Sequence, residues 1–438
     1  MIKKTSHTIT PSVFLIFCLI PFIDEYFFGL FNEKRVFQSI LLILCSLLYF
    51  HSFKLEKRSN LILILVLFIG LISTLLSNNL LYSSLSYLHA TMLISLVFLG
   101  YKIKDNNSIL FYTIFFSNVF LVSYSLLNYS FFILSSEAPF PDGVLYGFYN
   151  IRFFNQFQVL SIPFVIYFLS HSKLHRVAKI TLALNLFLLL FSSARGASIA
   201  ILVTTLIYCY FINKSMIKEL FFCLLGAILL FLIHYFYLDI YYSAEYIIRT
   251  GSSKRYELWL EVINNINFKT LLIGNGPGGY KSETFDFGHP HNSFLQILNS
   301  WGAIVLSIFV FFIYKLINHS LAFIKKNKDN NEFLTCFTSF MSLLIYSLVS
   351  GVIVMPIPQT FLFVLVGILL GYLGYNLFER KNNKHKKIAL IITFTISLLY
   401  AALVILSYSC LEPKPYGPSF WSNGQLSFEN CKLTYFED

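Results

Sequence analysis

The sequence predicts an all-α polytopic membrane protein of about 12–13 transmembrane helices with one large outer loop. Three observations carry this. Apolar residues fill 57% of the 438 positions and charged residues 12%, with a mean hydropathy of +0.70, more than a water-soluble domain of this size tolerates. The apolar residues are gathered into runs near the roughly 20 that a helix needs to cross a hydrocarbon core of ~30 Å. The basic residues fall mostly on one side of the succession of runs.

In chain order the runs are 9–23, 36–53, 61–78, 83–101, 108–133, 156–170, 179–193, 197–213, 219–238, 292–318, 333–352, 359–377 and 388–408. The first follows Lys3 and Lys4, as the apolar core of a signal peptide would, but no small-x-small cleavage site comes after it, so a retained helix is expected. With the amino terminus inside, the even-numbered connections collect clusters such as Lys54/Lys57/Arg58, Lys325/Lys326/Lys328 and Arg380/Lys381/Lys384/Lys386/Lys387. The opposite side has an acidic surplus. The net charge of +11 is therefore a positive-inside signal that orients the chain, not a nucleic-acid footprint.

Residues 1–408 read as one helical membrane domain with outer excursions at 134–155 and 239–291, followed by an outer tail at 409–438. Turn residues Pro139, Pro141 and Gly143 mark the first excursion, and Pro413, Pro415, Gly417 and Pro418 mark the tail, whose aromatic content around Phe420 and Trp421 suggests a folded cap. Cys18, Cys45, Cys209, Cys223 and Cys336 lie in apolar runs and read as small hydrophobes, whereas Cys410 and Cys431 share the outer tail, where a disulfide is compatible with an oxidising compartment. No Cys-x-x-Cys pair or His/Cys cluster proposes a metal, and no cofactor is expected.

The 239–291 loop is too long to be a mere connection and too aromatic to be disordered. Leu258/Val262 and Trp259/Ile263 recur at four-residue spacing within Ser253–Ile266, predicting a short amphipathic helix on the bilayer that holds Arg255 at headgroup depth. Gly274, Gly276 and Gly279 match G-x-G-x-x-G, but the βαβ context is missing, Pro277 interrupts the turn, and Tyr280 stands where a phosphate loop needs lysine. A tight turn re-aiming the chain towards His291 is the better reading.

Four further constellations invite chemistry. Arg195, in Ser193-Ala194-Arg195-Gly196-Ala197, sits in a hinge between two apolar runs and either snorkels to the interface or is held for a ligand on a side otherwise poor in cations. Arg152, between Tyr149-Asn150 and Phe153-Phe154-Asn155, belongs to an interfacial aromatic belt or to a rim for sugar and phosphate. The polar interval from about Asp239 to Pro290 is expected to deliver Arg249, Arg255 and His291 to one spot. His289-Pro290-His291-Asn292 stands just ahead of an apolar run, so His291 lies at a helix amino terminus, where the dipole favours the neutral imidazole and free backbone N–H groups can meet an anion. It either serves as a general base, with Glu283 or Asp286 to orient it, or caps the helix.

The run His291-Asn292, nine residues, then Gly302 resembles the H-[NSQ]-x9-G signature of bacterial O-antigen ligases, O-antigen polymerases and protein O-oligosaccharyltransferases. Ser193-Ala194-Arg195-Gly196, Arg255-Tyr256-Glu257-Leu258-Trp259 and Leu272-Ile273-Gly274-Asn275-Gly276 look similar to the family's arginine turn, loop helix and glycine turn. Together the similarities cover roughly residues 150–320. Val305 departs from the oligosaccharyltransferase pattern, which weakens the case for a protein acceptor.

The resemblance implies a GT-C-like inner-membrane protein with a large periplasmic loop and a periplasmic C-terminus. It implies glycan transfer from undecaprenyl diphosphate to lipid A-core, a growing glycan or a protein, without metal or nucleotide sugar. Arg195 and Arg255 would hold the diphosphate and His291 would deprotonate or position the acceptor hydroxyl. Arg152, Arg249 and Asn292 would contact substrate. A transporter or flippase of lipid-linked glycan is the rival class. It should place charges midway through helices and repeat itself by inversion, which this sequence does not.

Overall fold

A computed structural model describes residues 31–50, 57–145, 150–170, 173–211, 214–241, 254–282, 285, 287–377, 383–412, 420–422 and 424–426. The first predicted run with Asp24 and Glu25, and also Cys18, Arg249, Glu283, Asp286 and Cys431, lie outside the described residues.

Every other predicted run is a helix. They are α1 (Asn32–Tyr49), α2 (Lys57–Leu75), α3 (Leu80–Ile103), α4 (Ser108–Leu134), a one-turn α5 (Pro141–Val144), α6 (Ile151–Phe168), α7 (His175–Phe191), α8 (Arg195–Phe211) and α9 (Lys214–Tyr241), then α10 (Arg255–Asn264), α11 (Phe268–Ile273), α12 (Ser293–Lys326), α13 (Asn331–Tyr346), α14 (Pro356–Tyr372) and α15 (Asn383–Ser409). A two-residue antiparallel pair, β1 (Leu411–Glu412) and β2 (Gln425–Leu426), ties the tail together.

Among the described residues, five helices are long and apolar enough to cross a membrane, falling within Leu80–Asn106, Ser108–Leu134, Met216–Tyr241, Ser293–Lys326 and Lys386–Ser409. Shorter apolar helices fill Ser59–Leu75, Arg195–Phe211 and Pro356–Tyr372. Others are interior. α6 and α13 are buried along almost their whole length and carry Asn155, Gln156, Gln158 and Ser161, or Thr335, Thr338, Ser339 and Ser342, on that buried surface. A helix enclosed by other helices faces partners and not lipid, so apolarity is not demanded of it. α9 is the opposite case, exposing Phe221, Phe222, Leu225, Leu229, Ile233 and Phe236.

Two helical groups meet along α13 and α14. One is built on α3 packed against α14, with α1 and α15 alongside; the other joins α4, α6, α7, α8 and α9 to α13. Side chains missing at Gly100 and Gly367 let α3 and α14 approach until their backbones touch. In the second group, amides do the joining: Asn118 donates to Ser161 at 2.5 Å, Asn155 donates to Ser192 at 3.0 Å, and Asn185 donates to Asn118. Hydrogen bonds of this kind hold helices together where lipid supplies no hydrophobic drive.

The tail folds onto the first group. Trp421 is fully buried and donates its indole N–H to Ser407 at 2.7 Å, the Tyr82 hydroxyl accepts from the Phe420 N–H at 2.9 Å, and Asn32 accepts from the Ser422 N–H at 2.8 Å. Arg35, buried without a carboxylate in this network, donates to the Phe420 carbonyl at 2.9 Å, to the Val354 carbonyl and to Gln38 at 2.6 Å, and its guanidinium lies 5.0 Å over the Phe420 ring. Cys410 is disulfide-bonded.

The loop between α9 and α12 contains the predicted amphipathic helix as α10, its Leu258 and Val262 buried and Tyr256, Leu260 and Ile263 exposed. α11 then ends at Gly274, and α12 is interrupted at Gly302, where φ is +78° and ψ is 176°. The two irregularities are one joint. The Asn275 N–H donates to the Asn299 carbonyl at 2.7 Å and the two amide side chains bond at 3.0 Å. A Cβ on Gly274 would lie 2.5 Å from the Ser300 carbonyl oxygen, and one on Gly302 would lie 2.6 Å from the Ile273 nitrogen. The glycine of the His-Asn-x9-Gly signature thus opens a gap in α12 into which the Gly274 turn fits, returning the chain to the end of the bundle where α12 begins.

Gly302→Ala is expected to destabilise the folded protein by about 2–4 kcal/mol, combining left-handed strain with backbone overlap. Gly374→Ala, at φ +80° with nothing within 4 Å, should cost only about 1 kcal/mol. Thermal unfolding of both variants in detergent measures the difference; equal loss would remove the joint from the account.

Candidate active site

α12 begins after a turn whose backbone is held by specific partners. His291 adopts φ +52°, unusual for a residue with a side chain. Its N–H donates to His289 Nδ1 at 3.0 Å, and the Trp259 indole of α10 donates to the Pro290 carbonyl at 2.9 Å. Asn292 caps α12, its side-chain oxygen accepting from the N–H groups of Phe294 at 2.9 Å and Leu295 at 3.1 Å. The Ser293 N–H donates to the Ser347 carbonyl at 2.8 Å and the Gln296 N–H to the Asn292 carbonyl at 2.9 Å.

This bonding corrects one expectation. The first four N–H groups of α12 were expected to stand open to an anion, and each is taken, by Ser347, by the Asn292 side chain or by the Asn292 carbonyl. An anion at this end has to be held by side chains. Asn292 correspondingly spends its side-chain oxygen on the helix.

The side chains that converge are basic. The Arg152 guanidinium donates to His291 Nε2 at 3.3 Å across 139 positions of sequence. Because arginine can only donate, Nε2 of His291 carries the lone pair and a neutral ring keeps its proton on Nδ1. The ring is 5% exposed and lies edge-on to His289, centroids 4.1 Å apart. Burial first, then His289, Arg152 and Arg255, hold the His291 imidazole well below the usual histidine range. Burial, with Arg152 and Arg255, pushes His289 down to about 3. Both imidazoles are thus neutral at physiological pH.

Arg152 is positioned by the start of α6, where Asn150 caps its backbone N–H at 2.9 Å. Arg255 is the first residue of α10, directly after Lys254 in a left-handed conformation. Arg195 is the exposed first residue of α8. Its neighbour Gly196 sits against Val349 and Tyr346, a Cβ there lying 3.4 Å from the Tyr346 ring, and Tyr346 is in turn within electrostatic reach of Arg255 and Arg152. Arg152 and His291 are therefore in contact, Arg255 is within electrostatic reach of them, and Arg195 opens α8 beside Gly196, which packs on Tyr346.

Two contributors were not singled out from the sequence. His289 holds the backbone of His291, and its own ring rests on Gly351, where a Cβ would come within 2.6 Å of Cε1. Gln156, one helical turn after Arg152 and buried, donates to Ser350 at 2.9 Å, while Ser293 donates its hydroxyl to the Ser350 carbonyl at 3.2 Å. The Ser347–Gly351 segment is thus the wall against which the turn is built. The signals were present in the doubled histidine of His289-Pro290-His291 and in the polar Asn155-Gln156-x-Gln158 inside an apolar run.

Among the described residues no group of three or more His, Cys, Asp or Glu side chains could hold a metal ion. What the arrangement offers is a neutral hydrogen-bond acceptor beside fixed cations, suited to receiving a hydroxyl proton next to a phosphate.

Residues 180–310 match the family model described as O-antigen ligase. The match contains Arg195, Arg255, His291 and Gly302 and begins after Arg152, so the family resemblance read from the motifs is borne out over the stretch that carries most of them. It supports a membrane glycosyltransferase-type function, in keeping with the multi-pass apolar architecture. No curated protein matches the chain.

Gly351→Ala is expected to push the His289 ring from its seat, and with it the acceptor of the His291 N–H. Glycan transfer should fall at least about tenfold while membrane insertion and yield persist. Gly226→Ala, whose new methyl would find its nearest neighbour at 3.9 Å, is the matched control; equal transfer by both variants would detach Gly351 from the site.

Proposed function

We propose that this protein is an O-antigen ligase-type glycosyltransferase of the bacterial inner membrane, moving a glycan from undecaprenyl diphosphate to lipid A-core on the periplasmic face. The observation that carries the reading is the contact between Arg152 and the lone pair of a buried, neutral His291, with Arg255 within electrostatic reach of the same ring. The family match over 180–310 supports the reaction class. O-antigen polymerase and protein O-oligosaccharyltransferase differ from this reading only in the acceptor.

In the reaction the acceptor hydroxyl oxygen attacks the anomeric carbon, the bond from that carbon to the diphosphate oxygen breaks, and the electron pair leaves with the polyprenyl diphosphate. Arg255 and Arg195 bind the diphosphate and stabilise the charge it gains, a task for which bidentate guanidiniums are suited. Arg249, on the same loop, joins them. His291 Nε2 accepts the hydroxyl proton. Arg152 turns from Nε2 to the donor or its sugar when the acceptor arrives. The bound diphosphate offsets the guanidinium charges that suppress His291, so donor binding makes the ring a stronger base.

The decisive experiment is reconstitution in liposomes with purified undecaprenyl-diphosphate glycan and, separately, lipid A-core, a second lipid-linked glycan or a polypeptide. Lipid A-core should become glycosylated, and the His291→Ala and Arg255→Ala variants should be inactive, with Arg195→Lys and Arg255→Lys partly active. His291→Asn, which tolerates the left-handed backbone, separates loss of the imidazole from loss of the turn and should also be inactive. Movement of the donor across the bilayer without any transfer would replace this reading with transport.

The required form of His291 is unprotonated, so activity disappears as pH falls through its pKa. Since burial and the neighbouring charges hold that value well below the usual histidine range, kcat/KM should stay flat from pH 8 to about 6.5. Arg152→Gln removes one suppressing charge, and its acid limb should lie at higher pH than that of the wild type. An unmoved limb would show that the charge of Arg152 does not act on His291.

A further inference from the structure

His289 carries a donor that the resting protein leaves unused. Its Nδ1 accepts the His291 backbone N–H at 3.0 Å, so Nδ1 bears the lone pair and the proton of the neutral ring is on Nε2. The side chain is 2% exposed, and Nε2 has no hydrogen-bond partner among the described residues. The ring cannot turn to find one. Gly351 underlies it so closely that a Cβ there would lie 2.6 Å from Cε1 and 3.1 Å from Nε2, and the His291 ring packs against it edge-on with centroids 4.1 Å apart. Exchanging the ring nitrogens would break the bond that holds His291 in its left-handed conformation.

A buried N–H kept in a fixed direction without an acceptor is destabilising unless a ligand supplies one. The acceptor that suits this position is set by its surroundings. Arg152 and Arg255 both act on the His289 ring, so the region is positive and the ligand atom is an anionic oxygen. The backbone N–H groups of α12 are already taken by Asn292 and Ser347, which leaves side chains to supply a neutral donor at this end of the helix.

Resting on the reaction proposed above, we propose that His289 is a further catalytic residue, whose Nε2–H donates to a phosphoryl oxygen of the departing polyprenyl diphosphate while Nδ1 holds His291 in place. No proton changes owner at His289. The hydrogen bond strengthens as the anomeric C–O bond breaks and charge collects on the diphosphate, which is the behaviour of an oxyanion donor. His289 and His291 thus divide the reaction, one facing the leaving group and the other the acceptor.

Two substitutions separate the nitrogens. In His289→Asn the amide oxygen takes the place of Nδ1 and keeps an acceptor for the His291 N–H, but no donor reaches the Nε2 position. In His289→Gln the amide nitrogen reaches that position. With reconstituted full-length protein, H289N is expected to lose about 10²-fold in kcat with the acceptor KM unchanged, and to be inhibited by farnesyl diphosphate at least tenfold more weakly. H289Q should keep kcat within about tenfold and farnesyl diphosphate inhibition within about threefold of wild type.

Wild-type values in H289N, or equal impairment of both variants with unchanged farnesyl diphosphate inhibition, would reduce His289 to a support for the turn and overturn the proposal. If H289N fails to accumulate, H289Q decides against His289→Leu: inhibition as weak in the glutamine as in the leucine variant overturns the proposal. Inactivity of the wild type towards undecaprenyl-diphosphate glycan would instead strike the parent reading, so the two failures are distinguishable.

Discussion

One end of this bundle is organised around a turn in which His289, Pro290 and His291 are buried. The His291 N–H, the Pro290 carbonyl and the Ser293 N–H find partners in the His289 ring, in Trp259 and in Ser347. Trp259 and Ser347 come from distant parts of the chain, so these bonds fix the relative positions of α10, α12 and the segment after α13. Buried polar backbone left unpaired is costly enough that the turn selects this assembly over looser ones.

Charge is the second consequence. Guanidiniums beside neutral imidazoles are tolerable only because the rings are too buried to ionise and because His291 accepts a hydrogen bond from Arg152. In the proposed reaction, the diphosphate brings negative charge to the place where Arg152 and Arg255 gather positive charge. Closing the α12 terminus with its own cap also matters: the helix holds its shape, and recognition passes to side chains.

Much of the fold was legible because membrane helices are written locally. Each described apolar run became a helix, though the one expected to end at 318 continues to Lys326 and the one expected to end at 352 stops at Tyr346, and the Leu258/Val262 spacing found the buried stripe of α10. The arginine turn, the loop helix, the glycine turn and the histidine signature were also visible as local patterns. Their meeting was not. The pairing of Gly274 with Gly302, the reach of Arg152 to His291 and the clamp of Phe420 on Arg35 depend on helix packing over long sequence separations, which periodicity does not encode. The occupied N-terminus of α12 was missed for the same reason, since Ser347 lies 54 positions from Ser293 by their residue numbers. His289 was seen only as a neighbour of His291, because its role depends on which of its two nitrogens is used.

The central claim is that Arg255 and Arg195 hold a polyprenyl diphosphate beside the two histidines. A structure of the full-length protein bound to undecaprenyl diphosphate tests it most directly. The account requires phosphate oxygens within hydrogen-bond reach of Arg255 and His289 Nε2, with His291 Nε2 facing the acceptor side. A diphosphate seated on the lysines at the other end of the bundle, with the histidine turn untouched, would contradict it.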